Sequence, residues 1–143
     1  MALAKNTTVT VIPGMRYRDC PAAIEWLCKA LGFEKHAVHM DGDLVMHAQL
    51  TFGNGMIMLG SAQRQSDYSR WTAMPDEVDG RETRSVYLVV DDCDAAYAQA
   101  KAAGAEMVFD PEEKPYGGKG FTCRDPEDYL WHIGSYDPWA EQP

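Results

Sequence analysis

Apolar residues along the chain recur at a helical spacing in one early segment. Within "RDCPAAIEWLCKALGFE", residues 18–34, they fall three and four positions apart, as on a helix that buries one face. These apolar positions are Ala23, Ile24, Leu27 and Leu31. Asp19 stands where an N-cap accepts backbone N–H bonds, and Gly32 stands where a helix commonly ends. The pattern predicts one amphipathic helix between these two residues.

A second segment repeats this pattern. "DDCDAAYAQAKAAGAE", residues 91–106, shares the Asp-Cys pair, the Ala-Ala pair, a helical stretch and a closing Gly, with Asp92 and Gly104 in the capping positions. A strand-like run precedes each helix, and three follow it, separated by Gly and Asn turns. The runs that follow lie near 35–40, 44–52 and 55–60 in the first copy and near 106–109, 119–124 and 128–134 in the second. The chain is therefore predicted to contain two βαβββ modules.

The repeat predicts the fold class and the place of a binding site. We expect an α+β fold in which the two modules, related by pseudo-twofold symmetry, form a concave, half-barrel-like sheet. One domain would span 1–143, with modules at 8–60 and 84–135, a linker at 61–83 and a tail at 136–143. Each sheet would carry its helix on one face, so the free faces would enclose a concave binding space. The long polar linker is either a surface crossover or a lid over that space.

Charge and composition limit which binding partners and which cellular compartment we expect. Acidic residues outnumber basic ones by 22 to 13, which gives a net charge of −9, and no Lys/Arg cluster stands out. Nucleic acid and anionic membranes are therefore not expected as partners. The longest apolar runs are too short to span a bilayer and the start lacks a signal-peptide pattern, so we expect a cytoplasmic protein. The four cysteines form no C-x-x-C pair and are predicted to be buried free thiols.

Four segments carry a resemblance to a known family. They are "RYRDCPAAIEWL", "HAQLTFGNGMIMLG", "YLVVDDCDAAYAQAKAAGAE" and "GFTCRDPEDYLWHIGSYDPW". On these segments the chain resembles the vicinal oxygen chelate superfamily, which includes glyoxalases, bleomycin resistance proteins and extradiol dioxygenases, and within it a glyoxalase-like subgroup. The resemblance implies the glyoxalase/bleomycin resistance fold and a homodimer. One departure is Asp128, where the family usually has Gly; Asp tolerates the left-handed backbone of such a turn, so we expect the fold to be unaffected.

The resemblance also implies four inward-facing positions for a divalent metal. In this sequence they are Ile12, Met58, Ser85 and His132. Only the histidine is a good ligand, since Ile has no lone pair, a thioether suits hard ions poorly and a neutral Ser is weak. We therefore predict no metal and no cofactor. A rearranged divalent-metal site, with His47 and Gln49 approaching His132, is the alternative; hydrogen bonding at a polar pocket wall is the favoured interpretation of those two side chains.

Strand alternation predicts which side chains face the concave space. The predicted ligand-binding residues are Arg16, His47, Gln49, Met58, Tyr87, Tyr116, Phe121 and His132. Met and aromatic side chains adapt to flat organic molecules, and the polar members would fix orientation. Tyr116 and Phe121 lie beside the loop "KPYGGKGF", from which their rings could stack on a planar ligand. Ordinary hairpin geometry explains the loop's glycines equally well, and core packing explains Met58 equally well.

These features favour a metal-independent protein that binds a small aromatic or amphiphilic molecule. The acidic chain would favour a neutral or cationic ligand. The alternative is an enzyme: a lyase, isomerase or dioxygenase with a rearranged metal site, or a catalyst that uses His132 or His47 as general base. The sequence contains no G-x-S-x-G or H-E-x-x-H motif, and it leaves open whether any reaction is catalysed.

Overall fold

The computed structural model describes residues 1–140, which form two four-stranded sheets, each with one helix. The last three positions of the predicted tail lie outside the described residues. The first module contains β1 (Gly14–Tyr17), α1 (Cys20–Leu31), β2 (Glu34–Asp41), β3 (Leu44–Phe52) and β4 (Gly55–Ser61). The second contains β5 (Tyr87–Val89), α2 (Cys93–Ala102), β6 (Glu106–Glu113), β7 (Lys119–Arg124) and β8 (Leu130–Gly134).

The two sheets share one topology. Their strand orders are β1-β4-β3-β2 and β5-β8-β7-β6. In each sheet the first strand pairs in parallel with the last, and the remaining neighbours are antiparallel. The predicted α+β fold of two βαβββ modules is therefore confirmed. The sheets stay open and do not close into a barrel.

Capping side chains define the helix starts at the predicted residues. The Asp19 carboxylate accepts the backbone N–H of the residue three positions on at 3.1 Å, and Asp92 does the same in α2 at 3.1 Å. Gly32 ends α1 in the left-handed region at φ +82°, and Gly104 follows α2 at φ +89°. These bonds satisfy N–H groups that a helix leaves unpaired at its start. The local pattern was therefore sufficient to place both helices.

The hydrophobic core lies between the sheets and the helix pair. Its strand residues include Met15, Tyr17, Leu50, Ile57, Leu59, Leu88, Trp131 and Ile133. Helix α1 packs on α2, where Trp26 Nε1 donates to the carbonyl oxygen of Ala103 at 3.1 Å. Three of the four free cysteines are buried as predicted, whereas Cys28 is only half-buried. Burial raises the pKa of the Cys123 thiol to about 12, so this thiol stays protonated and unreactive near neutral pH.

The turn between β7 and β8 connects the modules. The Glu127 carboxylate accepts the backbone N–H groups of Arg18 and Asp19, at 2.6 and 2.9 Å, beside the start of α1. Asp128 has φ +71°, so Asp occupies the left-handed position that the family usually gives to Gly. The expectation that this departure leaves the turn intact is confirmed.

The segment between the sheets is anchored to the fold. It contains short 3₁₀ helices at Ser69–Trp71 and Pro75–Val78, and Met74 beside the second helix is buried in the core. Arg124 donates from Nη1 to the carbonyl oxygen of Gly80 at 2.8 Å, which fixes the last part of the segment against β7. Of the helices in residues 1–140, none has the length and apolar character needed to cross a membrane.

Candidate functional site

Alternate residues on β3 face opposite sides of the first sheet. Ala48 and Leu50 are buried toward α1, whereas His47 and Gln49 are partly exposed on the concave side, as alternation predicts. Pairing with β2 shifts by one residue between His39 and Met40, and this bulge leaves an extra residue, Met46, on β3. Consecutive residues Met46 and His47 consequently both face the concave side. Strict alternation of side chains along β3 would place Met46 on the opposite side of the sheet from His47.

The first hollow lies on the concave side of β1, β3 and β4 and has a volume of about 340 Å³. Its lining includes Arg16, Met46, His47, Met58, Tyr68 and Arg84. Three of these, Arg16, His47 and Met58, are predicted ligand-binding residues. Gln49 supports the wall, because its Nε2 donates to His47 Nε2 at 3.2 Å when that nitrogen is unprotonated. Sequence reasoning missed Tyr68 and Arg84, which belong to the connecting segment and carry no periodic signal.

The second hollow lies on the concave side of β5, β7 and β8 and has a volume of about 290 Å³. Its lining includes Ser85, Tyr87, Lys114, Tyr116, Thr122 and His132. Tyr87, Tyr116 and His132 are predicted ligand-binding residues, and the predicted residue Phe121 also borders this hollow. Arg84 lines the first hollow and its neighbour Ser85 lines the second, so the chain at this point separates the two hollows.

His132 is held at both ring nitrogens. Its Nε2 lies 2.9 Å from Glu82 Oε1, and its Nδ1 lies 3.0 Å from Thr122 Oγ1. An ionised carboxylate only accepts hydrogen bonds, so Nε2–H donates to Glu82 and, in the neutral ring, Nδ1 accepts the Thr122 hydroxyl proton. The ring is thereby fixed in orientation and tautomer. Sequence reasoning missed Glu82; the one available signal is its place in "RETRS", immediately before the run that contains β5.

Phe121 lies behind the second hollow. Its side chain is only 3% exposed, and its ring packs edge-on against Tyr97 of α2 with centroids 5.5 Å apart. Phe121 pairs with Ile133 on the helix side of the sheet, whereas the next residue, Thr122, pairs with His132 on the concave side. Phe121 thus borders the second hollow, but its ring is buried in the core on the helix side of the sheet.

The glycine loop packs against the C-terminal segment. Gly118 has φ +72°, and a Cβ atom built there would lie 2.5 Å from the backbone nitrogen of Tyr136. The Tyr116 ring stands edge-on to the Tyr136 ring at 5.0 Å between centroids. Tyr87 donates its hydroxyl proton to the Tyr136 carbonyl oxygen at 2.8 Å, and burial raises the pKa of this hydroxyl. Close backbone approach thus requires glycine at 118, and Tyr136 in turn contacts Tyr116 and Tyr87, which line the second hollow.

The residues at the family's metal positions do not fit a metal. Met58 lines the first hollow, whereas Ser85 and His132 line the second, and Ile12 offers no donor atom. Across residues 1–140, no group of three or more His, Cys, Asp or Glu side chains is placed to hold an ion. Glu82 and His132 supply two donors, which is one fewer than a protein metal site typically uses. His47 lines the first hollow with Gln49 hydrogen-bonded to it, whereas His132 lines the second.

A third depression lies at the junction of the modules. It measures about 340 Å³ and is formed by the β3–β4 turn, the segment before β1 and strand β5. Phe33, Phe52, Val86 and Leu88 are among its lining residues. Within the described chain its lining contains no charged side chain, and Asn54 and Tyr87 supply its polar groups, so it is less suited than the concave hollows to a ligand with a charged group. The two concave hollows are therefore the better candidate sites.

Sequence and structure comparisons agree on the kind of protein that this chain resembles. The family model described as "Glyoxalase/Bleomycin resistance protein/Dioxygenase superfamily" matches residues 8–133. No curated protein matches the sequence.

Among solved structures, TioX from Micromonospora sp. ML1 is 27% identical, with 87% of this chain and 95% of that chain covered and a TM-score of 0.70. A glyoxalase/bleomycin resistance protein/dioxygenase family enzyme from Burkholderia phytofirmans PsJN is 19% identical, with coverages of 86% and 94% and a TM-score of 0.60. A superfamily member from Sphaerobacter thermophilus DSM 20745 is 19% identical, with coverages of 88% and 97% and a TM-score of 0.62. The last two likenesses establish a shared fold.

Proposed function

The chain belongs to the glyoxalase/bleomycin resistance protein/dioxygenase superfamily, and from this premise we propose that it is a metal-independent small-molecule-binding protein. Its ligand is an aromatic or amphiphilic organic molecule that binds on the concave side of the sheets. The observation that carries this proposal is the pair of open hollows, about 340 and 290 Å³, lined by Met and Tyr side chains with a few hydrogen-bonding groups. Small-molecule sites typically combine apolar walls with a small number of polar contacts.

The aromatic side chains of the hollows support a planar or apolar ligand. Tyr68 is 68% exposed, Tyr116 60% and Tyr87 42%, so each ring has surface available for contact. Met46 and Met58 add flexible thioethers to the first hollow, and such side chains adjust to ligands of different shape. An amphiphilic compound would bury its apolar part on these surfaces and direct its polar part toward the histidines or arginines.

The donor set supports independence from a metal. Three of the four family positions carry Ile, Met and Ser, and the fourth, His132, already donates to Glu82. A divalent ion would need further strong ligands, which these positions do not supply. Binding is therefore expected to continue after exhaustive chelation.

The test combines metal analysis with ligand titration. Purified protein is analysed by plasma mass spectrometry and then titrated calorimetrically with a panel of planar aromatic compounds, with and without prior EDTA treatment. We expect less than stoichiometric metal and at least one saturable ligand whose affinity EDTA does not change. Met58→Ala in the first hollow should weaken a ligand bound there, whereas Leu3→Ala, an exposed apolar side chain outside both hollows and outside the strands, is the control. Stoichiometric metal, or no saturable ligand, would contradict the proposal.

A second candidate function is a metal-free acid–base catalyst. The observation that favours it is the chain of hydrogen bonds from Glu82 through His132 to Thr122. Because both ring nitrogens are engaged, a bound molecule would give its proton to the Thr122 hydroxyl oxygen while that hydroxyl passes its own proton to Nδ1 of His132. The distinguishing measurement is mass spectrometry of a bound ligand after prolonged incubation: a chemically changed ligand that His132→Gln leaves intact would establish catalysis, and recovery of the unchanged ligand would exclude it for that compound.

We also propose a homodimer. Both sheets are open, and their outer strands and neighbouring positions expose large apolar side chains to solvent. These are Val38, Met40, Val108 and Phe109. Burying such surface against a second copy is favourable. Sedimentation equilibrium measures the mass directly, and a monomer at micromolar concentration would contradict this part of the proposal.

A further inference from the structure

Within residues 1–140, five of the thirteen Lys and Arg side chains of this acidic chain have a carboxylate partner. The paired side chains are Arg18 with Asp76, Lys35 with Glu25, Arg64 with Asp41, Lys114 with Glu112, and Lys119 with Asp94. Arg16 and Arg84 differ from these. Both line the first hollow and are only partly exposed, yet within residues 1–140 neither guanidinium lies within salt-bridge distance of a carboxylate.

Backbone carbonyl groups are the hydrogen-bond acceptors for both arginines. Arg16 Nη1 donates to the Ala62 carbonyl oxygen at 3.4 Å, a long bond. Arg84 donates from Nε to the carbonyl oxygen of Gly14 and from Nη1 to that of Thr83 at 3.0 Å. A guanidinium carries five N–H donors, so these contacts use a minority of them. The remaining donors can bind an anion in the paired geometry that suits carboxylate, sulfonate or phosphate oxygens.

The charge of the first hollow is opposite to that of the whole chain. Its described lining includes Arg16, Arg84 and the imidazole of His47 and contains no Asp or Glu. A partly buried cation loses part of its hydration, so an incoming anion gains more from it than from a fully solvated one. The local charge of this site therefore favours an anion, whereas the net charge of −9 on the whole chain favours a neutral or cationic ligand.

A polar recess adjoins the first hollow and indicates how a ligand would lie. It measures about 440 Å³, shares Arg16 and Thr72 with the hollow, and adds Ser69 and Arg70. Its acidic side chain, Glu77, is already engaged, since Oε1 accepts the Met74 backbone N–H at 3.0 Å and lies 3.6 Å from an Arg18 nitrogen. Arg16 thus stands at the boundary between an apolar hollow and a polar recess.

We propose that the first hollow binds an amphiphilic organic anion, with the anionic group held by Arg16 and Arg84 and the apolar body lying on Met46, Met58 and Tyr68. This inference rests on the proposed function and adds the charge class of its ligand. An aromatic carboxylate or sulfonate has the matching chemistry: one group for the guanidinium donors and one flat apolar surface for the thioethers and the tyrosine ring.

Two probes with the same ring system test the inference. 8-Anilinonaphthalene-1-sulfonate carries the anion, and N-phenyl-1-naphthylamine lacks it. Titration of the wild type with each, followed by probe fluorescence, should show the sulfonate binding at least about tenfold more tightly, which is the scale of a charge-assisted contact. Arg16→Gln and Arg84→Gln should each weaken the sulfonate by about tenfold or more and change the neutral amine by less than about threefold.

Matched variants separate the site from general charge effects. Arg81→Gln makes the same charge change at an exposed position outside the hollows and should leave both affinities within about twofold. Arg84→Lys keeps the charge but loses the paired donors and should fall between wild type and Arg84→Gln. Circular dichroism checks that each variant is folded. Equal binding of both probes, or loss of sulfonate binding in Arg81→Gln to the same degree, would overturn this inference alone; failure of both probes to bind would count against the proposed function as well.

Discussion

The Tyr17 hydroxyl donates a 2.6 Å hydrogen bond to Asp125 Oδ2, which lies 108 positions away along the chain. Asp125 is 4% exposed and also accepts the Trp131 indole N–H at 3.0 Å, while its other oxygen accepts two backbone N–H groups of its own turn. One buried carboxylate thus joins β1 of the first module to β8 of the second. Burial raises the pKa of the Tyr17 hydroxyl well above its ordinary value, so it remains a donor.

Tyr17→Phe should destabilise the fold by removing this donor. The carboxylate keeps the Trp131 bond, so we expect the free energy of unfolding to fall by roughly 1–3 kcal/mol, the cost of a buried acceptor that loses a partner. Urea denaturation followed by circular dichroism measures it. Tyr68→Phe, at an exposed ring in the first hollow, is the control and should change stability by less than about 0.5 kcal/mol. Equal effects of the two substitutions would show that the Tyr17–Asp125 bond contributes nothing.

Asp125→Asn should change how stability depends on pH. Burial raises the pKa of the Asp125 carboxyl above its ordinary 3.8, although its hydrogen bonds act in the opposite direction. The folded protein therefore retains this proton to higher pH than the unfolded chain. The stabilisation from this titration is fully present below about pH 3.8 and is lost as pH rises through the raised pKa.

The measurement is urea denaturation of wild type and Asp125→Asn over a pH series. The variant should be less stable throughout, because the Trp131 indole only donates and an amide nitrogen cannot accept its proton. The difference between the two proteins should be largest at low pH, shrink as pH rises, and then stay constant. A stability difference between wild type and Asp125→Asn that does not change with pH would refute the assignment.

Removing Glu82 should release the tautomer of His132. With the carboxylate present, the neutral ring carries its proton on Nε2 and accepts the Thr122 hydroxyl proton at Nδ1. Glu82→Ala should let both neutral tautomers form, and the ¹⁵N chemical shifts of the two ring nitrogens should move toward each other at high pH. Glu113→Ala, an exposed carboxylate on β6, should leave them unchanged. Unchanged shifts in Glu82→Ala would mean that the 2.9 Å contact does not control the ring.

Gly118→Ala should destabilise the protein more than a change at another left-handed glycine. Gly118 and Gly42 both have positive φ, +72° and +62°, so an Ala at either position carries a conformational penalty of roughly 1–2 kcal/mol. A Cβ at Gly118 would also meet the Tyr136 backbone at 2.5 Å, whereas at Gly42 it meets no described atom within 4 Å. The difference between the two variants in loss of unfolding free energy, measured by urea denaturation, gives the cost of the steric clash. Equal losses would show that the loop shifts without cost.

The parts of the fold that could be predicted are those set by neighbours in sequence. Helix limits follow from Asp19 and Gly32 because capping involves residues within one turn. Concave placement of Gln49 and His132 follows from strand alternation, because successive side chains in a strand point to opposite faces.

The parts that could not be predicted depend on register or on chain path. Met46 reaches the first hollow through a bulge that shifts pairing with β2, and periodicity does not encode such a shift. The prediction for Phe121 rested on its position beside the glycine loop. Its side chain faces the helix side of the sheet, because Phe121 pairs with Ile133 on that side. Glu82 and Arg84 lie in a segment without regular pattern, so only the folded chain shows which hollow each approaches.

The connecting segment has a consequence for how selectivity can change. It contributes Tyr68 and Arg84 to the first hollow and places Glu82 against His132 of the second, while Met74 and Pro75 in its middle are buried. Substitutions at its two ends, where these three side chains lie, can therefore change which compound is accepted while the attachment at Met74 and Pro75 is kept. A chimaera that takes these ends from a relative should inherit that relative's preference while keeping its own scaffold.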